Sequence, residues 1–446
     1  MASAEVGQST FLARRTNMVE KKRLKVGIIG AGAAGLTTAW LLDNDYDITV
    51  FEKEDYLGGS ACTVHVPIDG KIVPVEAGAE FFSDMMFPNF NRLLALLHVP
   101  VSKYPLGYTF YNTTTHEAIV LPPISAGQIS WHSLTPHTIF DLVQFNHFIE
   151  SGHTIIDMKD TAITLQEYSD GLILTDGFKN DFIYPFFAAS WGCTPQEAKL
   201  YAAYDMLAWM IPHQPAGISI PYWNQIEGGM SIYINALAAR LEHTTIHTSA
   251  PITDISYANN VYTLYTDNQP AVCVDYLIIA TSENQAAELL KNIQHANQLR
   301  EILSTIEFFH TTIAIHGDRR LMPAQEADWS IANILYDGKN SALTICKPHM
   351  REFPLFRSWI TYNLGLPEKN PLPKPLYALR YFYHSKVNKA YFDMQKNIAP
   401  LQGKNNLWLA GFYTTGPDSH NSAIVSAMNI AKKLAPKSER LAALSS

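Results

Sequence analysis

Short, wholly apolar runs closed by glycine or a polar turn punctuate this chain. Val26-Gly27-Ile28-Ile29, Tyr276-Leu277-Ile278-Ile279-Ala280 and Leu407-Trp408-Leu409-Ala410-Gly411 are of this kind, the pattern of parallel strands buried on both faces. After the first run the chain turns at Gly30, and residues 33–42 are rich in helix formers before Asp43-Asn44-Asp45. Residues 47–53, built on Ile48, Val50 and Phe51, return as a second strand and complete a βαβ unit. Met230, Ile234, Leu237 and Leu241 share one face of a helix, as do Ala423, Ala427, Ile430 and Leu434. Residues 245–274 alternate and are rich in turn formers, which predicts a small antiparallel layer. A helix is expected over 283–300 and a strand over 308–316, whereas proline punctuates 347–375 and predicts irregular structure.

Residues 87–224 are different material. They are rich in aromatics, histidine and proline, with helical pieces near 90–97 and 197–210, and lack the βα rhythm. The expected fold class is therefore α/β. A discontinuous Rossmann-type nucleotide domain is assembled from 25–86, 225–285 and 400–436, beside a mixed α+β substrate-binding domain from 87–224 and 286–399. Residues 1–24 are expected to be a flexible leader, and 437–446 a C-terminal tail.

Composition narrows the partners. The 446 residues are 47% hydrophobic and 17% charged, with a formal charge of −8, which excludes a mainly disordered or fibrous chain and argues against nucleic acid. Cys62, Cys193, Cys273 and Cys346 are far apart, so free thiols are expected rather than a disulfide scaffold or metal site. No uncharged apolar run is long enough to span a bilayer, and no export signal is evident near the start. A cytoplasmic protein without stable membrane insertion is expected.

Gly30-Ala31-Gly32-Ala33-Ala34-Gly35 is a G-x-G-x-x-G between strand and helix. The first glycine permits the turn, the second admits a pyrophosphate to the backbone, and the third lets the helix pack closely. The N–H groups and dipole of the helix opening at Ala33 hold phosphate without a lysine. Glu52, at the end of the second strand, can accept hydrogen bonds from a ribose and would repel a 2′-phosphate. An adenine dinucleotide follows, and the Gly58-Gly59 pair just beyond Glu52 lets a second backbone segment approach it, a wrap for which reversible NAD binding has little use.

With that pair the sequence resembles the FAD-dependent amine oxidase and phytoene desaturase superfamily, in particular a bacterial subgroup of predicted NAD/FAD-binding proteins. Val75-Glu76-Ala77-Gly78 with Phe81-Phe82, Glu227-Gly228-Gly229-Met230, Pro251-Ile252-Thr253-Asp254-Ile255, Asp275 to Thr281, and Leu409-Ala410-Gly411 through Asp418-Ser419-His420-Asn421-Ser422-Ala423 are similar to its successive motifs. His316-Gly317-Asp318, Leu321-Met322-Pro323 and Trp329 resemble the subgroup. The resemblance implies FAD, held by Gly30, Gly32, Ala33, Ala34, Gly35, Glu52 and Lys53 on the first βαβ unit, and a non-covalent bond is expected because no cysteine lies near the last motif and no histidine is placed for attachment. It adds Gly58, Gly59, Ser60, Gly78, Ala79 and Glu80 from the next segments, Ile252 at the adenine, and Ala280 and Thr281 on the returning strand. Gly411, Asn421, Ser422 and Ala423 complete the set, the helix from Ser422 offering its N–H groups to a reduced flavin.

The implied activity is that of an FAD-dependent oxidoreductase passing hydride from a small molecule to flavin N5. Relatives commonly carry a lysine on the strand corresponding to 308–316, where this chain has Thr311 and Thr312. That departure puts simple amine oxidation in question and leaves room for an apolar, lipid-like substrate. Tyr383, His384 and Tyr413 are expected to border the ring, His384 as proton carrier and the tyrosines as wall. Two other readings stay open: a flavin-binding protein without turnover, and an NAD-dependent dehydrogenase. The histidines form no H-E-x-x-H run, so no metal is expected.

Overall fold

The computed structural model describes residues 23–125, 128–129, 131–213, 222–267, 269–362, 364 and 372–446. The leader expected over 1–24 lies outside them except for Arg23 and Leu24. At the centre is a parallel sheet with the spatial order Thr244–His247, Asp47–Phe51, Lys25–Ile29, Tyr276–Ile279 and Leu407–Leu409. Ile28 pairs with Val50 on one side and Ile278 on the other, and Val26 and Ile28 are wholly buried. The apolar runs thus become strands because both faces are covered. Every residue of the helix Ala33–Leu42 is buried, packed between the sheet and the helix His420–Leu434. Its small Ala, Gly and Thr residues permit that close approach.

On the opposite face, Asp254–Ala258, Val261–Tyr265 and Val272–Val274 form an antiparallel layer. It lies flush on the backbone of Gly27, where an added Cβ would come within 2.8 Å of the Leu264 side chain. The layer is smaller than the alternation over 245–274 predicts, because Thr244–His247 joins the parallel sheet at its edge.

The second body is a seven-stranded sheet in the order Leu376–Ser385, Phe308–His316, Phe356–Trp359, Ser341–Ile345, Ala332–Tyr336, Tyr108–Asn112 and Ala118–Leu121. Helices built from 136–210 cover one face, where Phe110 meets Phe182 and Tyr108 meets Phe186. Three expectations are corrected. The stretch expected to be irregular contains the interior strand Phe356–Trp359, concealed in the sequence because Arg357 and Ser358 break its apolar pattern and find polar partners inside. The helix expected over 283–300 is two pieces, Glu283–Leu289 and Asn297–Leu303. The tail expected over 437–446 instead contains the helix Glu439–Ser445, with Leu441 and Leu444 buried and Arg440 donating to the Trp40 carbonyl at 2.7 Å. Among the described residues, no helix is long and apolar enough to cross a membrane.

Candidate functional site

The glycines of the first turn have different roles. Gly30 donates to the Phe51 carbonyl at 2.8 Å and has φ +103°, and a Cβ there would lie 2.5 Å from the Ala280 carbonyl oxygen. Ala280, whose own N–H bonds the Ile29 carbonyl at 2.7 Å, and Thr281 therefore stand directly against the turn. At Gly35 a Cβ would lie 2.0 Å from the Gly30 oxygen, so this residue seats the helix on the turn. Gly32 is different: a Cβ there would meet only the Gly58 oxygen, at 3.8 Å, and the space before it is open. As N-cap of the helix Ala33–Leu42, Gly32 brings no capping side chain. The first-turn N–H groups at Ala33 and Ala34 have no acceptor within the helix.

The second glycine segment is locked to the first. Gly58 donates to the Ala31 carbonyl at 2.9 Å, forming a parallel bridge between Gly32 and Gly58. Gly58 and Gly59 have φ of +120° and +57°, conformations that glycine reaches without strain. Ser60 carries the link onward: its carbonyl accepts from Ala79 at 2.8 Å and would lie 2.1 Å from a Cβ on Gly78. Glu52 is buried and its carboxylate accepts from the Ala31 N–H at 2.8 Å and the Glu54 N–H at 3.0 Å, tying the acid to the turn. Lys53 is exposed and pairs with Glu54 at 3.4 Å. Ile252 is brought to this end because Ala250 donates to the Glu52 carbonyl at 2.8 Å.

The remaining expected contacts divide. Gly411 donates to Ser426 Oγ at 2.9 Å, anchoring the last turn. The helix His420–Leu434 has Ser419 as its cap: Ser419 Oγ takes the Ser422 N–H at 3.1 Å and its carbonyl the Ala423 N–H at 3.2 Å. The donors at Ser422 and Ala423 are thus already used, which moves the available helix end to the backbone of His420 and Asn421. The Asn421 side chain caps a different helix, accepting from Asn89 and Phe90 at 2.9 and 3.2 Å. The Glu80 side chain is enclosed by Lys347 and Arg357, each at 2.6 Å.

The expected reacting group is also divided. Phe309 pairs with His384, and Thr311 with Phe382. Alternation therefore puts these four on the helix-covered face of the sheet. There Phe382 lies 3.3 Å from the Cβ position of Gly78, and Thr311 meets Gly192. His384 stacks on Phe309 with ring centroids 5.5 Å apart, and burial lowers its imidazole pKa to about 4, so it is neutral at neutral pH. Tyr383 is on the opposite face and 69% exposed, and cannot share a wall with His384. Tyr413 is buried, its hydroxyl without a partner.

The interior also holds carboxyls that sequence reasoning missed, of which Glu283 faces Tyr413. Glu283 accepts from Ser385 Oγ at 2.6 Å, and burial raises its pKa to about 7. Asp205 accepts from Trp191 Nε1 at 3.2 Å and from the Asp418 N–H at 3.1 Å. Burial brings Asp205 to about 7 and Asp418 to about 6. Asp418 stood in the last motif, but Asp205 and Glu283 carried no signal distinguishing them from carboxylates on a solvated helix face.

The family of NAD(P)-binding Rossmann-like domains matches residues 28–97. No curated protein sequence matches the chain. Among solved structures, the CLA-producing fatty acid isomerase from P. acnes superposes with a TM-score of 0.69 at 13% identity, covering 92% of this chain and 99% of that one. Cyclohexylamine oxidase from Brevibacterium oxydans IH-35A gives 0.64 at 13% identity, over 93% and 100% of the two chains. Wild-type putrescine oxidase bound to putrescine gives 0.62 at 12%, also over 93% and 100%. The chain shares its fold with these oxidases and with the isomerase.

Proposed function

We propose that this fold serves as an FAD-dependent oxidoreductase that binds its flavin non-covalently and oxidises, dehydrogenates or isomerises a small molecule. The observation that carries the reading is the open floor at Gly32, where two glycine segments meet backbone to backbone and no side chain intrudes. The N–H groups of Ala33 and Ala34 would hold the pyrophosphate and Glu52 the ribose. The backbone of His420 and Asn421 would face the negative end of the flavin. Bound there, FAD supplies a hydride acceptor at N5.

The substrate belongs on the face made by Phe309, Thr311, Phe382 and His384, which excludes water with aromatic rings and offers neutral His384 as a proton acceptor. Thr311 is buried with its hydroxyl unpaired and brings no base, which favours an apolar or lipid-like substrate over a simple monoamine. The same residue supports the second reading, flavin held without turnover. The four unpaired cysteines suit a cytoplasmic setting. Anaerobic stopped-flow mixing with panels of amines and unsaturated apolar compounds, following bleaching of oxidised flavin, tests both readings. Bleaching by an apolar substrate that slows in His384→Ala supports the first, bleaching only by simple amines contradicts the substrate assignment, and no bleaching by any compound favours the second.

A further inference from the structure

Asp205 is 1% exposed, and among the described residues no lysine or arginine pairs with it. A buried carboxylate without a cation costs stability, and an apolar side chain would fill the same space without that cost. What an apolar side chain cannot supply is a pair of acceptors, and Asp205 uses both of its oxygens. Oδ2 takes the Trp191 Nε1–H at 3.2 Å and Oδ1 takes the Asp418 N–H at 3.1 Å.

The two donors come from different parts of the fold. Trp191 ends the helix Tyr184–Trp191, and the next residue, Gly192, turns with φ +78° against the substrate face. A Cβ on Gly192 would lie 2.5 Å from Thr311 Cγ2 and 2.9 Å from the Trp359 ring. Asp418 belongs instead to the loop 415–419, which leads into the helix His420–Leu434. Part of that loop is tied to the helix it enters: Thr415 Oγ1 donates to the Ser422 carbonyl at 2.9 Å, and Ser422 Oγ to the Pro417 carbonyl at 2.8 Å. Among the described residues, two side chains reach the loop from outside the motif. Gln395 donates to the Gly416 carbonyl at 2.7 Å, and Asp205 accepts from Asp418. Of these two, Asp205 is the one also bound to the helix that ends on Thr311.

We propose that Asp205 is a positioning residue for the flavin: one carboxylate holds the loop entering the helix His420–Leu434 against the wall of the substrate face, and so fixes where the backbone N–H groups of His420 and Asn421 stand. The proposal rests on the flavin reading above. Asp418 directly precedes the cap Ser419, so a displaced loop carries the helix entrance with it. Asparagine in place of Asp205 offers one acceptor oxygen and an amide that donates, which sets one of the two N–H groups against another donor. Removing the Trp191 indole ends that conflict and returns the asparagine oxygen to Asp418.

The test is equilibrium titration of the full-length protein with FAD at pH 8.5, above the value of about 7 to which burial raises the Asp205 carboxyl. Amide exchange of peptides spanning 415–423 is read by mass spectrometry on the same proteins before FAD is added. Asp205→Asn should weaken FAD roughly tenfold or more, the scale of one lost buried hydrogen bond, and should speed exchange in those peptides. Asp205→Asn/Trp191→Phe should bring affinity back to within about threefold of wild type and restore slow exchange. Asp205→Val/Trp191→Phe has no acceptor; it should melt no lower than the asparagine double variant yet bind FAD roughly tenfold more weakly. Wild-type affinity or unchanged exchange in Asp205→Asn, no recovery in the asparagine double variant, equal binding by the two double variants, or affinities that merely follow melting temperature would each overturn the proposal. If Asp205→Asn does not fold, the comparison of the two double variants decides. A wild type that binds no FAD overturns the cofactor reading and this proposal with it, whereas tight binding that changes at Asp205 leave intact overturns the proposal alone.

Discussion

The dinucleotide crevice and the interior between the seven-stranded sheet and its helices are built by opposite means. In the crevice the backbone does the work: Gly30, Gly32, Gly35, Gly58 and Gly59 shape it, and one side chain, Glu52, braces the turn. In the interior the working groups are side chains from remote segments, Asp205 set against Asp418, Glu283 against Ser385 and His384 against Phe309, each pair made only by folding. A backbone-built site tolerates almost no substitution at the glycines that pack but depends on empty space at the one that faces the ligand. A side-chain site stores its chemistry in burial, and pH exposes it.

The largest expected effect is at Gly35. Gly35→Ala places a Cβ on the Gly30 carbonyl and should cost about 3 kcal/mol or more in folding stability, the upper end of overpacking costs; urea denaturation measures it. A midpoint equal to wild type would show that the helix is not seated on the turn as described.

Next is the buried acid Glu283. Its folded-state pKa of about 7 lies above its ordinary value, so the stability it contributes in acid is lost as pH rises from about 4.5 through about 7. Glu283→Gln keeps an acceptor for Ser385 and removes the charge. It should therefore be more stable than wild type at pH 8.5 by on the order of 2 to 3 kcal/mol, with the difference vanishing near pH 4. A constant difference across that range would remove the buried charge from the account.

Glu52→Ala sharpens the role of the single side chain in the crevice. Losing two charge-assisted bonds to the Ala31 and Glu54 N–H groups, and those to a ribose, should weaken FAD by about one to two decades, or roughly 1.5 to 3 kcal/mol. Equilibrium titration with FAD reads this directly, and unchanged affinity would remove Glu52 from the site. The smallest effect is expected at Tyr383, which is exposed on the far face. Tyr383→Ala should change stability by no more than about 0.5 kcal/mol and leave the rate of flavin reduction unaltered, whereas a clear fall in that rate would return Tyr383 to the substrate wall.

The contrast between the two regions also explains what could be read from the sequence. The helix Ala33–Leu42 and the strand Phe308–His316 are visible as runs, because strand, turn and helix are contiguous and each glycine answers a local geometric need. The interior strand Phe356–Trp359 is not visible, since its Arg357 is satisfied by Glu80 and by carbonyls far away in the chain. Tyr383 and His384 show the limit of adjacency. As neighbours in sequence they look like one wall, yet on a strand they point to opposite faces. The last motif was legible as a helix start, but which N–H groups remain free depended on Ser419, whose side chain and carbonyl take the donors of Ser422 and Ala423.

The most direct test of the central claim compares wild type with Gly32→Val, by visible spectrum and by identifying what each releases on denaturation. Valine at this position adds methyl groups to the open floor without the backbone clash that Gly30 or Gly35 would meet, so the variant should fold. Wild type should be yellow, or become so with added FAD, and should release FAD rather than FMN or NAD into the acid-soluble fraction. Gly32→Val should remain colourless under the same treatment. A wild-type protein that stays colourless with FAD, or a Gly32→Val variant that holds as much FAD as wild type, would contradict the assignment of this crevice.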